Sequence, residues 1–166
     1  MDSIAVNKQQ RILAVCGVKN SGKTTLIEKI VHRLAEQGVK TAVIKHDGHD
    51  FSSDVPGTDS DRFQKAGAYG TAVFSPYRSM VVKEECNTGI EEMISQFPEA
   101  EFIIIEGMKN SAYPKIELVR NGISDGPVSN PEGRILIVTD YEKGKFEEET
   151  VGFEDIEGLL CRLHLS

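Results

Sequence analysis

The sequence predicts an α/β protein with a mainly parallel central sheet, and three observations carry that prediction. Short apolar runs alternate along the chain with segments whose apolar residues recur at helical spacing. Phe102-Ile103-Ile104-Ile105 is unbroken in its apolar character, as a strand buried on both faces of a parallel sheet must be. Residues 17–24, Gly-Val-Lys-Asn-Ser-Gly-Lys-Thr, satisfy G-x-x-x-x-G-K-[ST] at every fixed position, with a strand pattern before them and a helix pattern after. Together these describe a P-loop NTPase three-layer fold, with some antiparallel strands added to the mainly parallel ones. The expectation is a single nucleotide-binding domain over residues 1–166, with residues 1–10 as a loose leader.

Each element follows from local chemistry. Arg11-Ile12-Leu13-Ala14-Val15-Cys16 reads as a first strand. Leu26, Ile27, Ile30, Val31, Leu34 and Ala35 give one apolar face to a helix over 23–37, which Gly38 closes. Thr41-Ala42-Val43-Ile44 is a second strand, followed by a turn-rich stretch centred on Pro56-Gly57. Asp59-Ser60 is expected to cap a short helix over 61–67 that stops at Gly67. Residues 71–74 and 80–82 read as short strands about a turn at 75–77, and 88–97 as a helix with Ile90, Met93, Ile94 and Phe97 on one face. Beyond the apolar run at 102–105, strands are expected at 116–120 and 135–138. Residues 141–150 are strongly charged and read as a solvated loop. A last helix over 153–164 carries Ile156, Leu159, Leu160 and Leu163 inward, with acids early and Arg162 and His164 late, as its dipole favours.

Bulk properties narrow the function. A net charge of -7 over 166 residues argues against a general nucleic-acid or membrane binder, since both need a basic face. The three cysteines (Cys16, Cys86, Cys161) are far apart, which points to a reducing compartment rather than a disulfide framework. Cys16 is expected to be a small buried apolar residue in the first strand. The first ten residues are too polar for a signal peptide and no apolar run is long enough to span a bilayer, so the expected location is the cytoplasm.

The chemistry begins at the glycine-bounded loop. Its two glycines let the backbone curl so that consecutive N–H groups point at phosphate oxygens, and the following helix adds unpaired N–H groups and its positive dipole end. Gly17, Val18, Lys19, Asn20, Ser21, Gly22, Lys23, Thr24 and Thr25 are therefore the expected nucleotide-binding residues. Lys23 would place its ammonium on the β- and γ-phosphates, and Thr24 would give its hydroxyl to Mg²⁺.

Strand-end polar groups supply the remaining candidates, because ligands in open α/β sheets lie beyond the carboxyl ends of the strands. Glu106 ends the 102–105 run, where an acid holds Mg²⁺ or orients water; with Lys23 it is the expected catalytic residue. His46, Asp47, His49 and Asp50 follow the second strand. H-x-x-H with acids can bind a transition metal, Asp47 can help hold Mg²⁺ while His46 and His49 meet a substrate or phosphate, or the loop is simply polar and solvated. Lys19, Arg62, Lys109 and Arg120 form a basic set; Arg62 and Lys109 would grip a second anionic ligand, and Arg120 equally reads as an exposed strand residue. His32 falls on the polar side of the first helix. The N-K-x-D guanine signature is absent, but Asp140 ends a late strand where a carboxylate could accept from guanine N1–H and N2–H₂.

With these residues assembled, the chain resembles the MobB family of molybdopterin-guanine dinucleotide biosynthesis adapter proteins. The match runs through G-x-x-N-S-G-K-T-T-L at 17–26, I-K-H-x-x-H-D at 44–50, D-x-P-G-x-D-S at 54–60, Arg62, A-G-A at 66–68, E-G-x-K at 106–109 and Pro114-Lys115-Ile116-Glu117. The resemblance implies a homodimeric GTP-binding protein with weak Mg²⁺-dependent hydrolysis. It would assist the guanylyltransferase MobA, which attaches GMP to molybdopterin. His46, His49, Asp59, Ser60, Arg62 and Lys109 would then face the pterin or the partner. The chain departs from the family at Gly48, where a second adjacent histidine is common, and at Met108, where an aromatic residue is common. Two other classes fit the same loop: a small-molecule kinase or ATP-dependent ligase, and a nucleotide-gated metal chaperone.

Overall fold

The computed structural model describes residues 10–48, 51, 54–84 and 88–165. The chain divides into two compact units, one running to His46 and resuming at Ile94, the other spanning Asp47–Met93.

The first unit is built on a six-stranded sheet in the order β2-β5-β1-β6-β7-β8. Its strands are β1 (Arg11–Gly17), β2 (Thr41–Lys45), β5 (Phe102–Glu106), β6 (Lys115–Val119), β7 (Arg134–Thr139) and β8 (Thr150–Val151). Every pairing within it is parallel. Leu13, Val15, Ile104, Ile116, Leu118, Leu136 and Val138 form one apolar face. Helix α1 (Lys23–Glu36) lays Leu26, Ile27, Ile30 and Leu34 onto it, and helix α4 (Ile156–Arg162) adds Leu159 and Leu160. Arg11 ties the two ends of the unit together: its guanidinium donates to the carbonyls of Leu163 and His164, supplying a cation where the α4 dipole is negative.

The opposite face is not purely apolar. Lys115 and Glu117 are two residues apart on β6, so both side chains leave the same side of the sheet, and both are fully buried. Lys115 Nζ donates to the carbonyls of Ser111, Asn130 and Glu132. Glu117 accepts from the backbone N–H groups of Val128 and Ser129 and from the Ser129 hydroxyl. Arg134, its side chain 7% exposed, reaches Glu117 at 3.5 Å and also pairs with Glu148. Buried charge is tolerated here because each group has its partners. The network ties the loops at 107–114 and 120–133 to the sheet.

The second unit holds helix α2 (Asp59–Lys65) and an antiparallel hairpin, β3 (Gly70–Phe74) with β4 (Ser79–Lys83). The predicted antiparallel strands thus make a separate two-stranded sheet. Helix α3 (Ile90–Ser95) crosses from the second unit into the first and is shorter than the expected 88–97.

Three boundaries differ for identifiable reasons. Thr58, not Asp59-Ser60, caps α2: its extended backbone lets the hydroxyl accept from the Asp61 N–H, and Asp59 and Asp61 become the first-turn acids. α4 begins at Ile156 because Asp155 is its cap, accepting from the Gly158 N–H at 2.9 Å, which leaves Phe153 outside the helix. Within the stretch 141–150 expected to be a solvated loop, Glu148 pairs with buried Arg134 and Glu149 with Arg162, and Thr150, its last residue, begins β8 against β7. Among the described residues, no helix is long and apolar enough to cross a membrane.

Candidate functional site

The loop from Gly17 to Gly22 joins the carboxyl end of β1 to the amino end of α1. Its backbone needs the left-handed region at Gly17 (φ 142°), Asn20 (φ 64°) and Gly22 (φ 99°). At Gly17 the glycine is also a spatial requirement, since a Cβ there would lie 2.7 Å from Ser21 Oγ and 2.8 Å from the Leu118 carbonyl oxygen. Gly22 caps α1 without a side-chain hydrogen bond, and the first turn of α1 holds no acid. The positive end of the helix therefore stays uncompensated by side chains. Lys23 Nζ turns back onto the loop and donates to the carbonyls of Gly17 at 3.1 Å and Val18 at 2.8 Å. Lys19, Asn20, Thr24 and Thr25 are exposed, whereas Ser21 is fully buried and its hydroxyl has no partner among the described residues.

The residues beyond the neighbouring strands fall on either side of this loop. On one side, Glu106 ends β5 level with Val15 of β1 and Lys45 of β2, and its carbonyl accepts from the His46 N–H at 3.0 Å. His46 packs beside Gly107, where a Cβ would lie 3.3 Å from the His46 carbonyl oxygen. Cys16 is buried, as expected, but it also donates its thiol to the Gly107 carbonyl at 3.1 Å and so ties the ends of β1 and β5 together. Burial, with the Glu117 charge second, pushes the Cys16 thiol up to about 11.

On the other side, Arg120 follows β6 and Asp140 follows β7. Arg120 Nε lies 3.9 Å from Asp140 Oδ2, and Asp140 Oδ1 accepts from the Asn121 N–H at 2.7 Å. Lys109 is exposed on the 107–114 loop, whose backbone is fixed by the Asn130 N–H donating to the Lys109 carbonyl.

Asp47, Asp59, Ser60 and Arg62 belong to the second unit. Asp59 and Arg62 are exposed on α2 and pair at 3.6 Å. Ser60 is buried, and its hydroxyl, ahead of the Val55 N–H, holds the Asp54 carboxyl below the usual carboxylate range. A cleft of about 1000 Å³ opens within this unit, its polar end made by Asp54, Thr58 and Ser60 and its apolar wall by Phe63, Val73 and Met80. His49 lies outside the described residues. Among the described residues, no group of three or more His, Cys, Asp or Glu side chains is placed to hold a metal ion. His32 is exposed and lies 3.5 Å from Glu36.

The arrangement fits a nucleoside polyphosphate with Mg²⁺ in two respects. The glycine-bounded loop and the start of α1 supply backbone N–H groups and the Lys23 ammonium for an anion, and the Thr24 hydroxyl and Glu106 carboxylate are of the hard oxygen type that Mg²⁺ prefers. The buried Lys115–Glu117–Arg134 network is not among the candidates the sequence singles out. Its signal was available: two charges at period two in a strand that is otherwise apolar.

The chain is similar to known proteins. The family model described as "Molybdopterin guanine dinucleotide synthesis protein B" (MobB) matches residues 12–140. The chain is 31% identical over 156 residues to the molybdopterin-guanine dinucleotide biosynthesis adapter protein of Escherichia coli, covering 89% of this chain and 88% of that one. It is 38% identical over 112 residues to the probable adapter protein of the same name from Bacillus subtilis, covering 65% and 64%. The crystal structure of Bacillus subtilis MobB superposes with a TM-score of 0.74 at 27% identity, covering 92% of this chain and 97% of that one.

Proposed function

The chain belongs to the MobB family, and from that premise we propose that it is a GTP-binding adapter in molybdopterin guanine dinucleotide biosynthesis. The observation that carries this reading is the phosphate loop, with Lys23 folded over it and Glu106 at the end of the neighbouring strand. Gly17–Thr25 hold the triphosphate through backbone N–H groups and the Lys23 ammonium. Thr24 and Glu106 would supply oxygens to Mg²⁺, which when bound would add positive charge beside the phosphates. Lys23 and Lys19 stabilise the charge that develops on the γ-phosphate.

In this reading the partner is the guanylyltransferase MobA, and the bound nucleotide favours transfer of GMP to molybdopterin. His46 and Lys109 in the first unit, and Asp59, Ser60 and Arg62 in the second, are the residues offered to the pterin or MobA. The cleft in the second unit, lined by Asp54, Thr58 and Ser60 and by Phe63, Val73 and Met80, offers both polar and apolar contacts to a pterin ring. The chain acts as a homodimer. The β3–β4 hairpin exposes Phe74 and Tyr77 at 84% and 93%, with Val73 and Val81 beside them, and an apolar two-stranded hairpin seeks a partner surface.

Reconstitution tests this. Purified MobA, molybdopterin, GTP and Mg²⁺ should form the dinucleotide faster when the chain is added, and the Lys23→Ala variant should not accelerate it. Equal rates with and without the chain would remove the adapter reading. Rapid phosphoryl transfer to a small acceptor without MobA would favour the kinase or ligase class instead.

A further inference from the structure

We propose that Arg120 is a nucleotide-binding residue that contacts the α-phosphate, between the phosphate loop and Asp140. This rests on the nucleotide reading above and extends it to a residue that no loop motif reaches.

Three observations place it there. The first is contact with the loop: a Cβ on Gly22 would lie 3.4 Å from Arg120 Nη1, so the guanidinium stands against the residue that caps α1. The second is electrostatic. A cation at the positive end of a helix is unfavourable unless an anion joins it, and the first turn of α1 carries no acid. Asp140 does not fill that role fully. It lies 3.9 Å from Nε, at the outer limit of an ion pair, and its other oxygen is taken by the Asn121 N–H. The guanidinium is nonetheless held in place, with its carbon 4.9 Å above the Phe153 ring. It is a positioned cation whose donors are largely unused among the described residues.

The third is topological, and it decides which phosphate. β1 lies between β5 and β6, so the loop after β1 has Glu106 on one side and Arg120 on the other, with Asp140 one strand further out. If Glu106 marks the metal and γ-phosphate end, the nucleoside end lies towards β6 and β7. Arg120 then meets the phosphate nearest the ribose, and Asp140 comes next, where the base lies. A planar guanidinium presents a fork of donors to a phosphate, so a contact there strengthens diphosphate and triphosphate binding alike.

Calorimetric titration with GDP and with a non-hydrolysable GTP analogue, both with Mg²⁺, tests this on wild type, Arg120→Gln and Arg120→Lys. Arg120→Gln should weaken both nucleotides by the same factor, about 10- to 100-fold. Arg120→Lys, which keeps the charge but loses the fork, should fall between. Melting temperatures of both variants identify a fold effect. Unchanged affinities with a lowered melting temperature would make Arg120 a structural residue and overturn the proposal, as would a loss confined to the triphosphate analogue. A wild-type protein that binds neither nucleotide would instead overturn the nucleotide reading on which this one stands.

Discussion

The ammonium of Lys23 donates to the carbonyl oxygen of Val18 at 2.8 Å, five residues back along the same loop, and to Gly17 at 3.1 Å. The loop thus satisfies its own cation with its own carbonyls. Phosphate must outcompete two neutral acceptors, which it does because charge-assisted hydrogen bonds are the stronger. Lys23→Ala is expected to lower triphosphate affinity by at least about 100-fold. It should leave the melting temperature within a few degrees of wild type, because Lys23 is only half-buried. Titration calorimetry and differential scanning calorimetry on the same preparation check both halves.

Glu106 stands at the end of a strand with four fully buried residues before it, so its position is set by the core rather than by a loop. Glu106→Gln keeps the shape and removes the charge. GTP hydrolysis should fall by at least about tenfold, with Mg²⁺-free nucleotide binding unchanged. Turnover equal to wild type would take Glu106 out of the reaction.

Much of the first unit could be read from the chain because its signals are local. The loop motif, the apolar run at 102–105 and the helical spacing of Leu26, Ile27, Ile30 and Leu34 each depend on near neighbours, and all appear where expected. What could not be read depends on distant partners. β8 is two residues long and exists through its pairing with β7. Arg120 gains its place from Gly22 and Phe153, which are remote in sequence. Lys115 looks like an ordinary strand-edge lysine until Ser111, Asn130 and Glu132 bring their carbonyls to it. Polar residues in buried strands carry no local signature of the partners that satisfy them.

Lys115 should therefore matter for stability without touching nucleotide. Lys115→Ala strands three carbonyls and leaves a cavity, and the expected loss is about 3 kcal/mol by urea denaturation. Gly133→Ala should act on the same loop, because a Cβ there would sit 2.6 Å from the Tyr113 carbonyl oxygen at a residue with φ 77°. Wild-type stability in Lys115→Ala would show that the network is not under load.

Cys16 gives a pH dependence with a definite sign. The folded state raises its pKa from 9.0 to about 11, so the folded protein holds the thiol proton more tightly than the unfolded chain. That contribution to stability is complete below pH 9.0 and is lost as pH rises through about 11. Urea midpoints should decline over this window less steeply in Cys16→Ala than in wild type. At neutral pH a thiol reagent should label exposed Cys161 and spare Cys16, which peptide mapping resolves.

The most direct measurement is calorimetric titration of the wild-type protein with non-hydrolysable GTP and ATP analogues in Mg²⁺. The guanine analogue should bind at least about tenfold more tightly, about 1.4 kcal/mol, with Asp140→Ala abolishing the difference. Equal or tighter binding of the adenine analogue would contradict the GTP-dependent adapter role.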